Sequence, residues 1–496
     1  MSSLKKEIIK DVTIFSGGNF AGKIILVFRG IITAKFLGPS MYGLWNALSI
    51  ILTYSGQAHL GTLSALQKEL PYYYAKGEND RAKAISNVVL SFEIITGVII
   101  GLLLFITSFF LQASFALIVG LRVVAVLVLF QLIEYFYYTL LRSEKKFTVL
   151  SRLTILYSFT MVALIVPMVI FYGIYGLFTA LLIMPLISIF FYTKHTDYCF
   201  KFVFNFSEIK RLIKIGYPIV SMILLYSLFR SIDKIMIVGF LGKVNLGYYS
   251  IAVMVNNFLF LAPSSIADSI SPRMFGKLGE MDNTQGLNVY LIKPTITQAY
   301  FISVLTGLAV IAAEFVIKAF LIEYMVSFPL VIILCFGSFF VSIPLLTWSY
   351  LVALNKQRNM LPLFGLSILL SITLNYIFIK LGMGITGIAI GTAIASFFYG
   401  TSLLGYCALF CFKGIKQRAI FFLKVYSPLF YMLAVVLLIN RIFSLYSLLL
   451  DNALLCALSK TIILMLFSSP LFFYINKTMG VLTLFCALFK RKTHAG

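Results

Sequence analysis

An arginine stands in the middle of an apolar run, LVFRGIITAKFLGPSMYGLW (residues 26–45), at Arg29, with a lysine at Lys35. A cation at that depth costs several kcal/mol unless it meets water or a partner, so its first reading is functional. Guanidinium offers a planar fork of N–H donors that binds phosphate-type oxygens two at a time. The phrase returns as FRSIDKIMIVGFLGKVNLGYY (229–249), which carries Arg230, Asp233 and Lys234. Arg29 and Arg230 are expected about 20–25 Å along their helices, at similar depth. Together with Lys234 and Lys35 they are the candidate cationic, substrate-binding set. A competing reading pairs Arg29 with an acid on a neighbouring helix, Glu93 or Glu134, and a third lets Lys35 snorkel to the headgroups.

Arg230, Asp233 and Lys234 are spaced i, i+3, i+4, the spacing of one helix face. Asp233 then either neutralises the two bases or acts as an ion-responsive switch that competes with substrate for them. Glu134, inside EYFYY, is a second candidate for ion coupling or charge pairing. Gln57 and His59 in SGQAHLG make that helix polar at depth, as a solvated cavity wall would. Gly18, Gly22 and Thr33 share the Arg29 face, which suits either a cavity lining or a close helix contact. Arg122, Asp268, Glu314, Lys318 and Lys460 are expected near the interface.

Other chemistry is missing from the sequence. GGNFAG (17–22) has no strand before it and no Lys-Ser/Thr after it, so it reads as helix packing and not a phosphate loop. The six cysteines form no CxxC pair and only three histidines are present. No metal site, cofactor or enzymatic activity is expected, and the cysteines read as buried thiols.

The elements that must position these residues follow from composition. The chain of 496 residues is 61% hydrophobic and 11% charged, with a mean hydropathy of +1.00. Apolar blocks of about 20 residues imply an all-α polytopic membrane protein of about 14 spans. MSSLKKEIIKDV reads as a charged lead into the first span, not a cleaved signal. Basic residues gather in alternate loops, among them 68–83, 141–152, 194–214, 272–283, 355–358, 413–418 and the tail at 489–492. The positive-inside rule then puts both termini in the cytoplasm. It also accounts for most of the net charge of +23, so nucleic acid is not needed as a partner.

Internal repetition supplies the next level. Arg29 aligns with Arg230, FLG at 36–38 with FLG at 240–242, and Gly43 with Gly247. LPYYYAKGE (70–78) then matches SPRMFGKLGE (271–280), and YGIYGLFTALLI (172–183) matches MGITGIAIGTAI (383–394). The expected layout is a parallel pseudo-twofold repeat of two six-helix lobes, 1–205 and 206–412, followed by two helices and a cytoplasmic tail in 413–496.

FLGPSMYGLWNALSIILTYSGQAHLGTLSALQKELPYYYAKGE, preceded by a helix bearing Arg29, resembles the polysaccharide-transporter branch of the multidrug/oligosaccharidyl-lipid/polysaccharide exporter superfamily. Those proteins are the O-antigen and capsule repeat-unit flippases. The resemblance implies a bacterial inner-membrane, multi-pass protein that moves undecaprenyl-pyrophosphate-linked oligosaccharide between leaflets by alternating access. It further implies a cationic cavity matched by Arg29 and Arg230, antiport with a proton or sodium ion, and contact with membrane lipids, a polysaccharide polymerase and a chain-length regulator. Three alternatives stand beside it: a flippase for the peptidoglycan lipid precursor, a multidrug exporter, and a membrane polysaccharide polymerase or ligase. An exporter of organic cations favours acidic cavity residues, and a polymerase carries a long catalytic outer loop; neither feature is found.

Overall fold

The computed structural model describes residues 2–280, 288–354, 356–445 and 453–479, and among these it contains helices and no strand. The basic tail at 489–492, part of the 272–283 loop and Cys486 lie outside the described residues.

The chain forms α1 (Ser2–Ser55), α2 (Thr62–Lys76), α3 (Asn79–Phe110), α4 (Phe115–Ser143) and α5 (Phe147–Lys194). It continues with α6 (Phe206–Phe229), α7 (Ile232–Phe240), α8 (Lys243–Leu259), α9 (Leu261–Glu280) and α10 (Asn288–Phe320). The last are α11 (Ser327–Ser342), α12 (Leu345–Ala353), α13 (Met360–Lys380), α14 (Gly384–Cys411), α15 (Ile415–Leu445) and α16 (Ala453–Met479). Eleven helical segments among the described residues are long and apolar enough to cross a membrane. Each of the apolar blocks read from the sequence falls on helix, because α1 and α5 each hold two of them, divided at Gly38 and Gly173. The chain is an all-α polytopic membrane protein.

The breaks fall where the sequence repeats. Gly38 and its repeat equivalent Gly242 both take positive φ, 65° and 83°. Gly173 and Gly384, equivalent in the second repeated phrase, both have φ of 57°. An L side chain is strained in that region, so glycine allows the chain to turn from one span into the next.

Packing divides the chain into two compact units, Met1–Ser250 and Ile251–Gly496. In the first, α1 and α4 pack on α5, α3 on α4, and α2 on α6. A core of Leu66, Leu70, Ile85, Val89, Phe136 and Leu140 joins α2, α3 and α4. In lipid the hydrophobic effect does not drive helices together, so close backbone approach at small residues does much of the work. A Cβ added at Gly101 would stand 2.6 Å from the Ala125 carbonyl, which shows how near α3 and α4 come. In the second unit, α11 and α13 pack on α14, and α10 packs on α15 and α16. Phe339, Phe340, Phe397 and Tyr426 form an edge-to-face aromatic core there.

Three expectations change. Cys335 and Cys407 are buried thiols as read, but Cys199 is exposed between α5 and α6. Glu314 and Lys460, read from sequence as separate charges, are buried as an ion pair. The spans read as continuous at 42–66 and 213–240 are interrupted, at residues 56–61 and at Arg230–Ser231.

Candidate functional site

Arg29 lies on the face of α1 that turns toward α5. Gly18 on that face meets Ser151, and a Cβ at Gly22 would stand 2.7 Å from the Ser158 hydroxyl. The glycines of GGNFAG are therefore helix-packing positions, and they bring the Arg29 backbone close to α5. The Arg29 guanidinium ends 4.0 Å from the Met161 sulfur, a long and weak contact. Its Nε is enclosed and has no hydrogen-bond partner, as is the hydroxyl of Thr33 one turn further on. The hydroxyls of Tyr42 and Tyr157 stand near enough to act on its charge. Among the described residues no carboxylate oxygen lies within 4.0 Å of it.

The two acids that the sequence offered as partners are engaged elsewhere. Glu93 accepts a 2.5 Å hydrogen bond from Thr62, and its other oxygen has no partner. Glu134 sits on α4 within reach of Ser188, and it acts electrostatically on Tyr157 and Tyr192. Lys35 is exposed on α1.

Arg230 follows the last residue of α6, where its N–H closes the helix onto the Tyr226 carbonyl. Its guanidinium donates 3.3 Å to the Tyr226 hydroxyl and lies 5.9 Å from that ring's centre. Asp233 is in the first turn of α7, where a negative charge is favoured by the helix dipole. Its carboxylate accepts 2.7 Å from the Lys234 N–H and 2.6 Å from the Tyr249 hydroxyl. Arg230 and the Lys234 ammonium act on it through space. The break separates Arg230 from the helix that carries Asp233 and Lys234, so the i, i+3, i+4 spacing does not describe a single face. Ser231, inside the break, shares a 2.5 Å hydrogen bond with Tyr54 of α1. That contact seats the broken segment beside α1.

Gln57 and His59 lie in the other break. His59 is buried and its Nδ1 accepts from the Gly61 N–H at 3.0 Å, while its carbonyl accepts from the Thr62 N–H at 2.9 Å. His59 therefore satisfies backbone that the interrupted helix leaves unpaired, as any buried break requires. Sequence reasoning missed Tyr42, Tyr157 and Met161 around Arg29, and Tyr249 on Asp233. For Tyr249 a signal existed: it occupies the repeat position of Trp45, aromatic in both copies.

The helical fold is shared with solved transporters. The lipid II flippase MurJ, in an inward closed conformation, superposes with a TM-score of 0.73 at 17% identity, over 94% of this chain and 99% of that one. The MATE transporter VcmN of Vibrio cholerae does so at 0.58 and 17% identity, over 86% and 99% of the two chains. A MOP superfamily transporter from Pyrococcus furiosus, described by the reverse polarity of its binding pocket, gives 0.57 at 14% identity, over 81% and 95%. At such identities the likeness is one of fold. No curated protein matches the chain in sequence. The sequence model of a family described as polysaccharide biosynthesis protein matches residues 32–327. That match runs from just after Arg29 through the whole of the broken α6–α7 region, more than half of the sequence, and it means that the chain belongs to the polysaccharide biosynthesis protein family.

Proposed function

We propose that this protein flips undecaprenyl-pyrophosphate-linked oligosaccharide repeat units, for O-antigen or capsule, from the cytoplasmic to the periplasmic leaflet of the bacterial inner membrane. Both termini are cytoplasmic in this reading, and the lobes rock about their repeat axis in alternating access. The observation that carries it is Arg29, a membrane-depth guanidinium with an enclosed, unpartnered Nε and no carboxylate in ion-pair range among the described residues. A pyrophosphate brings the anionic oxygens that such a fork lacks. Arg230 and Lys234 extend the positive surface, and Lys35 attracts the headgroup near the outer end of α1. Asp233 responds to the coupling ion, a proton or sodium, by loosening its hold on the two neighbouring bases. Glu134 modulates Arg29 through Tyr157. The flipped lipid then passes to the polymerase and chain-length regulator. The protein carries no catalytic group of its own and uses no cofactor.

The test is a deletion strain in which a radiolabelled lipid-linked oligosaccharide is followed. Accumulation on the cytoplasmic leaflet is the expected outcome, and normal translocation refutes the reading. A second reading, flipping of the peptidoglycan lipid precursor, is favoured by the likeness to MurJ. Rescue of a strain depleted of its lipid II flippase would establish that reading instead.

A further inference from the structure

The second unit holds a charged cluster that the transport reading does not use. Glu314 of α10 accepts 2.7 Å from Lys318 on its own helix and 2.6 Å from Lys460 of α16. Lys460 is 4% exposed and also donates 3.1 Å to Asn440 of α15. One acid is thus shared by two ammonium groups, and among the described residues the cluster keeps one positive charge in excess. Beside it lies a cavity of about 160 Å³, lined on α10 by Ile311, Glu314, Phe315 and Lys318 and on α16 by Cys456 and Lys460. Ala453 and Ala457 leave the room on the α16 side.

The two carboxylate oxygens of Glu314 are both occupied, whereas the Lys318 ammonium has three N–H donors and, among the described residues, only Glu314 to receive one. Its side chain is 46% exposed, so the remaining donors are open to the cavity. At about 30 Å³ for a water-sized group, the cavity holds roughly five, the heavy-atom count of a phosphate. An anion there balances the extra charge, and Ile311, Phe315 and Cys456 give the same cavity apolar surface for an alkyl chain. We propose that this cavity is an anion site for a phosphate group, carried at the end of a membrane lipid, held by Lys318 with Lys460 behind it. The site lies where α10 ends and α16 begins, which is the outer side if both termini are cytoplasmic. Neither proposal needs the other.

Cys456 lines the cavity and reports its occupancy. With the other cysteines replaced and the full chain in a maltoside detergent, which carries no phosphate, alkylation of Cys456 by N-ethylmaleimide is timed. Dodecyl phosphate should slow it at least five-fold, dodecanol should not, and Lys318→Gln should remove the protection while leaving the alkylation rate without ligand unchanged. Protection by inorganic phosphate to the same degree keeps the anion site and makes a free ion its source. Equal protection by dodecanol, or none by either phosphate, overturns the proposal. Because Lys318 is the exposed partner, Lys318→Gln leaves the buried Glu314–Lys460 pair in place. Flipping measured on that variant is expected to be normal, and a loss there would bear on transport and not on this site.

Discussion

Replacing Arg29 by methionine should make the protein more stable and less able to flip lipid. The guanidinium has no carboxylate within ion-pair range among the described residues, a 4.0 Å contact to a thioether, and an Nε with no acceptor. An uncompensated arginine near the middle of a span costs about 2.5–3.5 kcal/mol, and methionine of similar reach removes that cost. In ligand-free protein the unfolding free energy of Arg29→Met should therefore rise, by an amount of that order. The opposite holds in transport. Two charge-assisted hydrogen bonds to a phosphate, at about 1.5–3 kcal/mol each, amount to about 3 kcal/mol or more. Their loss lowers binding by more than about 100-fold. Arg29→Lys keeps the charge but not the fork, and should retain a partial function, about tenfold down. The assays are thermal unfolding of purified protein without lipid-linked sugar, and flipping of labelled lipid-linked oligosaccharide in proteoliposomes. A structural ion pair predicts the reverse sign: breaking one costs about 3–5 kcal/mol because it strands the partner. A loss of stability on that scale in Arg29→Met would falsify the assignment.

Three further outcomes follow from contacts in the first unit. A Cβ at Gly43 would overlap the Lys243 carbonyl oxygen, and one at Gly247 would overlap the Pro39 carbonyl oxygen. Gly43→Ala and Gly247→Ala should therefore each destabilise by about 1–3 kcal/mol, and by similar amounts, which thermal unfolding of the two variants measures. Thr62→Val removes the hydrogen bond to buried Glu93 and should cost about 1–3 kcal/mol, whereas Glu93→Gln keeps a group able to bond Thr62 and should cost less. Arg211 binds Glu69 through both terminal nitrogens at 2.6 Å and Glu208 at 2.8 Å, and Glu208 in turn holds Arg81 at 2.9 Å. The Arg211 side chain is 37% exposed, so screening limits Arg211→Ala to about 1 kcal/mol, read as a salt-sensitive shift in unfolding.

Much of the fold was legible because its signals are local. Twenty-residue apolar blocks mark spans, and each block falls on helix. The glycines that turn one span into the next were visible as repeated phrases, since a backbone with φ near 60° demands glycine in both copies. Interruptions inside spans were not legible. SGQAHLG keeps an apolar background, so its polar residues read as a cavity wall, whereas His59 serves the backbone of a break. At Arg230 the helix stops without proline or glycine, so spacing suggested one continuous face. Periodicity says which residues share a face only while the helix continues. Arg29 itself was legible as a costly charge, but of its surroundings Tyr157 and Met161 come from α5, more than a hundred residues away.

The buried and half-buried charges fall into two regimes, and the difference says which of them are free to act. In the Glu69–Arg211–Glu208–Arg81 chain and the Glu314–Lys318–Lys460 cluster, acids and bases are already within 3 Å of one another. Such groups can take a ligand only through donors left over, as at Lys318, or by giving up a partner. Glu93 and Asp233 form a middle case, with carboxylates held by the neutral donors Thr62, Tyr249 and the Lys234 amide. Arg29 falls in the other regime, holding a formal charge against a thioether and two phenols. A carboxylate on α4 or α5 facing that guanidinium would relieve the cost by a single substitution. It would also occupy the fork before any phosphate arrived. The unrelieved cost and the capacity to bind an anion are therefore the same physical fact, and a second-site acid introduced beside Arg29 should raise stability while stopping flipping.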